Sequence, residues 1–248
     1  LAPFLLIALL SIFGLTACAA QERALVADSP PAKVLFVGNS FTYYNNSLHN
    51  HYRKLVAASG HKFDKPSRAR IMTISGGHLP EHAGGMARVI GADDWDVVVM
   101  QGHSLGPIGE ATAEPFRKAA REYASIIRAH GAQPVFFMTW AYTGKPEMTA
   151  ELDAAYSAIG AELGAEVVPV GLAFAEATDE MPELELRIAD ARHPALAGTY
   201  LAACTFYAAL HGLSPEGLTY TAGLGESDAL YLQRTAWRVA TEFKARRQ

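Results

Sequence analysis

Two rhythms of apolar and polar positions take turns along this chain. Lys33 to Val37, Arg70 to Ile74, Asp96 to Gln101, Pro134 to Thr139 and Glu166 to Val170 are short runs rich in β-branched, aromatic or continuous apolar residues, and each is expected to be a strand. Asn46 to Ser59, Pro80 to Ile90, Ala113 to His130, Pro146 to Leu163, Ala195 to His211 and Asp228 to Lys244 carry helical spacing. Five of these helical runs stop at Gly60, Gly91, Gly131, Gly164 and Gly212. Val97-Val98-Val99-Met100 is apolar without a break, as in a strand covered on both faces. Pro169 lacks an N–H for a ladder and places the fifth strand at an edge. Strands alternating with helices predict an α/β fold, a single-domain three-layer α/β/α sandwich with a parallel sheet and right-handed crossovers. Five strands suggest the flavodoxin-like order 2-1-3-4-5. In such sheets ligands bind beyond the carboxyl ends of the strands. Chemistry is therefore expected in the loops after Val37, Ile74, Met100 and Thr139. The domain should occupy residues 33–248, with no repeat or second-domain boundary inside it.

Leu1 to Ala17 is almost wholly apolar and shorter than the ~20 residues of a comfortable membrane span. It reads as the apolar region of a secretory signal peptide. Leu15-Thr16-Ala17-Cys18 resembles the bacterial lipobox, which implies cleavage before Cys18, lipidation of Cys18 and membrane attachment through acyl chains. Ala19 after the cysteine, where an Asp would imply inner-membrane retention, makes an outer-membrane lipoprotein of the cell envelope the expected destination. An ordinary cleavable signal, with Ala17-Cys18-Ala19 as its small-residue site, is the simpler alternative. Residues 18–32 are then a tether ending in Ser29-Pro30-Pro31.

A net charge of −4, with basic residues scattered apart from Lys244, Arg246 and Arg247 at the C-terminus, excludes an electrostatic footprint for nucleic acid. Of the two cysteines, Cys204 lies in an apolar helical run and reads as a small buried hydrophobe, so no structural disulfide is expected.

Four segments carry candidate chemistry. Gly38-Asn39-Ser40-Phe41-Thr42 follows the first strand and puts a serine hydroxyl on the rim; alone, it reads more readily as a helix cap. Ser75-Gly76-Gly77-His78 follows the second, where paired glycines let a backbone N–H approach a substrate, or simply make a tight turn. Gln101-Gly102-His103-Ser104 sets polar side chains directly beyond an apolar strand. Asp190-Ala191-Arg192-His193-Pro194 offers a base near neutral pH and, three residues away, a carboxylate to orient it; the plain reading is a surface histidine before a helix.

In this order, on an α/β pattern, these blocks resemble the SGNH (GDSL-like) serine hydrolases over roughly Lys33 to Gly212. The resemblance implies the SGNH hydrolase fold and a serine esterase working through an acyl-enzyme without a cofactor or metal. Ser40 would be the nucleophile, His193 the base and Asp190 its orienter. The oxyanion donors implied are the N–H of Ser40, the N–H of Gly77 (or Gly76) and a side chain from the third loop. Two positions depart from the family pattern. Asn39 stands where Asp is usual before the serine, and His103 stands where the oxyanion Asn would be. A neutral imidazole can donate one hydrogen bond, with Gln101 the next candidate. An acetyl group on a carbohydrate is the first substrate expected and a lipid ester the second. Phe41, Tyr43, Tyr44, Trp140 and Tyr142 would supply an acyl pocket or a sugar-stacking wall, unless they pack in the core.

Three other readings compete. A surface lipoprotein binding glycans on a degenerate hydrolase fold would explain the altered third block. His78-Leu79-Pro80-Glu81-His82 matches the inverted zinc-peptidase motif, but Pro80 inside it argues against a settled helix. A flavodoxin-like nucleotide site would need a fuller glycine-rich or lysine-bearing loop than Gly38–Thr42 provides.

Overall fold

A computed structural model describes residues 30–247. The proposed signal segment, Cys18 and most of the tether lie outside the described residues. Five strands, β1 (Lys33–Gly38), β2 (Arg68–Thr73), β3 (Val97–Gln101), β4 (Gln133–Phe137) and β5 (Glu166–Val168), form one parallel sheet in the order β2-β1-β3-β4-β5. The helices are α1 (Ser40–Tyr43), α2 (Leu48–Ala58), α3 (Ala83–Ile90), α4 (Ala113–Ala129), α5 (Glu147–Leu163), α6 (Val170–Glu180), α7 (Leu196–His211) and α8 (Glu226–Ala245).

The period of two along each strand divides the core into two layers. Val34, Phe36, Val97, Val99, Val135, Phe137 and Val168 face α2, α6, α7 and α8. Leu35, Val37, Val98, Met100, Phe136 and Val167 face α3, α4 and α5. Every residue of β3 is buried, which is why its sequence is apolar without alternation. The three-layer architecture and strand order are those expected from the sequence. Cys204 is buried in α7 as a free cysteine. Among the described residues no helix is long and apolar enough to cross a membrane.

Three elements differ from expectation. β2 begins at Arg68, two residues early, because it is an edge strand whose polar Arg68 and Arg70 alternate with buried Ala69. The helix expected from Pro80 is a 3-10 turn, Leu79–His82, followed by α3. β5 stops at Val168. Pro169 caps α6, a helix absent from the sequence reading, instead of continuing an edge strand, although β5 is indeed the sheet edge.

Candidate active site

The rim of the sheet is organised by the turn after β1. Asn39 caps α1, its Oδ1 accepting from the N–H of Phe41 at 3.1 Å, so Ser40 becomes the first residue of that helix. Gly38 is required by close approach: a Cβ there would lie 2.4 Å from Gln101 Oε1 and 2.6 Å from Thr42 Oγ1. Those atoms belong to a buried brace. Gln101 Oε1 accepts from Thr42 Oγ1 at 2.7 Å and from the Asn39 N–H at 3.3 Å, while Gln101 Nε2 donates to Asn39 Oδ1 at 2.7 Å. Asn39 Nδ2 in turn donates to the carbonyl of Gly77 at 3.0 Å, tying the first loop to the second.

Ser40, Asp190 and His193 meet on this rim. Ser40 Oγ lies 2.8 Å from His193 Nε2, and His193 Nδ1 lies 2.5 Å from Asp190 Oδ2. With Nδ1–H donating to the carboxylate, Nε2 is left to accept the serine proton. Asp190 Oδ1 accepts from the N–H groups of Arg192 and His193, each at 2.9 Å. Desolvation pushes the Asp190 carboxyl up, but the hydrogen bonds from the imidazole and from these N–H groups outweigh it and hold the group at about 2. Asp190 is therefore a carboxylate wherever histidine can act as a base.

The loop that carries both residues is held at each step. The carbonyls of Ala191, Arg192 and His193 accept from the N–H of Thr143, from Trp140 Nε1 and from the N–H of Ile188, all at 2.9 Å. The His193 ring stacks on Tyr44 at 4.4 Å and meets the edge of Phe41 at 5.6 Å. Of the five rim aromatics, Phe41 and Trp140 are buried and stacked at 4.3 Å, so they act as core beneath the site. Tyr43, Tyr44 and Tyr142 stay half-buried.

The remaining sequence candidates lie on the same rim with different partners. Gly76 adopts a φ of 64°, which favours glycine, and the turn closes through the Gly77 N–H donating to the Ile74 carbonyl at 3.0 Å. The Gly77 N–H is thus engaged within the turn, whereas the Gly76 N–H has no acceptor among the described residues. Gln101 is buried and fully bonded, which makes it a brace. His103 is half-buried, stacks on His78 at 4.3 Å and accepts from the Leu105 N–H at Nδ1, leaving Nε2 as the protonated, donor nitrogen of the neutral ring. Burial, then the neighbouring His78, lowers its pKa and favours that neutral form.

The two histidines of the zinc-peptidase motif take separate roles. His78 precedes the 3-10 turn and caps it, while His82 is buried with neither ring nitrogen hydrogen-bonded among the described residues. No cluster of three or more His, Cys, Asp or Glu able to hold a metal occurs among the described residues.

Known structures share this arrangement of strands and helices. A crystal structure of a DUF4886 family protein from Bacteroides uniformis aligns over 84% of this chain and 94% of its own, with a TM-score of 0.67 and 20% identity. A protein of Slackia heliotrinireducens assigned to the SGNH hydrolases aligns over 69% of this chain and 94% of its own, at TM-score 0.57 and 28% identity. The fold is that of the SGNH hydrolases. The acetyl xylan esterase AlAXEase, at 14% identity and TM-score 0.59, covers 72% of this chain and 99% of its own. No protein-family model and no curated protein matches the sequence. Within this SGNH-type fold, sequence reasoning missed one residue at the site, Asn45, whose side chain reaches the loop that carries Asp190 and His193.

Proposed function

We propose that the chain is a serine esterase. The observation that carries this reading is the Ser40–His193–Asp190 relay, with contacts of 2.8 and 2.5 Å, at the carboxyl end of an SGNH-type sheet. Ser40 Oγ attacks the ester carbonyl carbon as His193 Nε2 takes its proton, and the Asp190 carboxylate stabilises the imidazolium. The oxyanion is received by the N–H of Ser40, an N–H of the Gly76–Gly77 turn and Nε2–H of His103. Each such donor contributes a factor of about 10²–10³ in rate. The intermediate collapses, His193 returns the proton to the leaving alcohol, and water then resolves the acyl-enzyme by the same route.

For the substrate, we propose a small acyl ester on a carbohydrate. The half-buried Tyr43, Tyr44 and Tyr142 beside the serine support it, as does the likeness to acetyl xylan esterases. We further propose export and lipid anchoring at Cys18, on the lipobox-like Leu15–Cys18; loss of radiolabelled palmitate from Cys18→Ala tests it.

The decisive experiment treats the purified chain with a fluorophosphonate beside Ser40→Ala and His193→Ala. Labelling of the wild type alone supports the esterase. Undiminished labelling of Ser40→Ala overturns it. A folded wild type that resists the probe but binds glycans supports instead a non-catalytic binding protein, a reading favoured by His103 at the usual asparagine position.

A further inference from the structure

Directly after the nucleophile helix the backbone does something costly. Asn45, Asn46 and Ser47 have φ values of 53°, 66° and 69°, three successive non-glycine residues in the left-handed region. Each such residue costs about 1–2 kcal/mol, less for asparagine, and such strain collects where function holds it. Nothing in the alternation of strands and helices requires this turn.

The turn is clamped from both sides. Ser47 Oγ donates to the Thr42 carbonyl at 3.1 Å and the Ser47 N–H to the Tyr44 carbonyl at 2.9 Å, fastening it to α1. The buried ring of His51 donates from Nε2 to the Asn45 carbonyl at 2.6 Å, while its Nδ1 accepts from Tyr220 at 2.8 Å. Held this way, the Asn45 side chain points across to the base loop. Its Nδ2 donates to the Pro194 carbonyl and to Thr199 Oγ1, both at 2.8 Å, so both amide protons are used.

The carbonyls of residues 191 to 194 are thus all bonded, by Thr143, Trp140, Ile188 and Asn45 in turn. Of these four donors only Asn45 belongs to the turn that follows the nucleophile. We infer that Asn45 is a positioning residue: its amide fixes the carbonyl of Pro194, the residue directly after His193, to the strained turn following Ser40, and so sets the Ser40–His193 geometry across 153 residues of sequence. The inference rests on the reading of Ser40 and His193 as nucleophile and base.

The test compares Asn45→Gly, Asn45→Asp and Ser40→Ala in the full chain, by fluorophosphonate labelling rate and by kcat and KM on nitrophenyl acetate. Glycine accepts the left-handed backbone without the amide. Aspartate keeps the size but cannot donate to a carbonyl. Both are expected to lose about 10- to 100-fold in kcat, as a slightly misplaced base does, with KM within about twofold of wild type. If either variant keeps wild-type kcat while Ser40→Ala is inert, the positioning role is overturned and the esterase reading stands. If Ser40→Ala still labels, the esterase reading itself fails. Should the Asn45 variants not fold, Thr199→Val, which removes one of the two acceptors, decides: a kcat about threefold lower at unchanged KM supports the role, and an unchanged kcat overturns it.

Discussion

Gln101 Nε2 donates to Asn39 Oδ1 across 2.7 Å, and this buried amide pair holds the turn that carries Ser40 in place. Asn39 needs to be an amide because it also donates, from Nδ2, to the Gly77 carbonyl. An aspartate there would set a carboxylate oxygen against that carbonyl. Asn39→Asp, which introduces the residue usual before the serine in SGNH hydrolases, is therefore expected to destabilise the chain and slow catalysis. Gln101→Leu leaves the Asn39 N–H and the Thr42 hydroxyl without their acceptor in a buried site, and takes from Asn39 Oδ1 one of its two donors. It should cost about 1–3 kcal/mol, measured by denaturant unfolding. Wild-type stability in both variants would show that the brace is unimportant.

How far the sequence carries follows from how local each cause is. The two-faced sheet was legible because burial on both faces forces the continuous apolar run of β3, whose pattern needs no distant partner, and the strand order followed from five strands alternating with helices. Ser40, Asp190 and His193 were legible because each sits in a short motif at a predicted strand or helix end. α6 was missed although Val170, Ala173, Phe174 and Ala177 have helical spacing, because Pro169 drew the reading toward an edge strand. Asn45 was not legible at all: its partner Pro194 lies 149 residues away, and no local rule signals such a bond.

The ring of Tyr44 lies on His193 at 4.4 Å with an interplanar angle of 11°. A stack of this kind is worth about 0.5–1.5 kcal/mol. Tyr44→Ala should let the imidazole tilt away from Ser40 and lower kcat about 2- to 10-fold, while Tyr44→Phe, which keeps the ring, stays near wild type. Equal losses in the two variants would assign the effect to the hydroxyl, which stacking does not involve.

Asp190→Asn tests the tautomer. The carboxylate requires a proton on His193 Nδ1; an amide can donate there instead and move the ring proton to Nε2, where it blocks the serine. A loss of about 10³- to 10⁴-fold in kcat with normal folding is expected from stopped-assay kinetics. Because the folded-state pKa of Asp190 is depressed to about 2, its contribution to stability is present above its ordinary value near 3.8 and is lost only as pH falls through about 2. The acidic limb of the wild-type rate should accordingly fit a single protonation above about pH 3, with none added by Asp190. A second proton on that limb above about pH 3 would contradict the assignment of Asp190 as a permanently ionised partner.

Glu166 provides a pH dependence away from the site. It opens the edge strand β5, and although the residue as a whole is half-buried, its carboxyl group is enclosed. Burial raises its pKa to about 7, against the opposing attraction of Lys244 and Arg247. A carboxyl whose folded-state pKa lies above its ordinary value near 4.5 gives a stability contribution that is complete below that value and disappears as pH rises through about 7. Glutamine mimics the neutral acid at every pH. Glu166→Gln should therefore match the wild type near pH 4 and exceed it at pH 8, by on the order of 1–3 kcal/mol, read as a gap in Tm that opens between those values. A gap that stays constant from pH 4 to 8 would mean that the carboxyl is already ionised in the folded chain, paired with Lys244 and Arg247 strongly enough to cancel its burial.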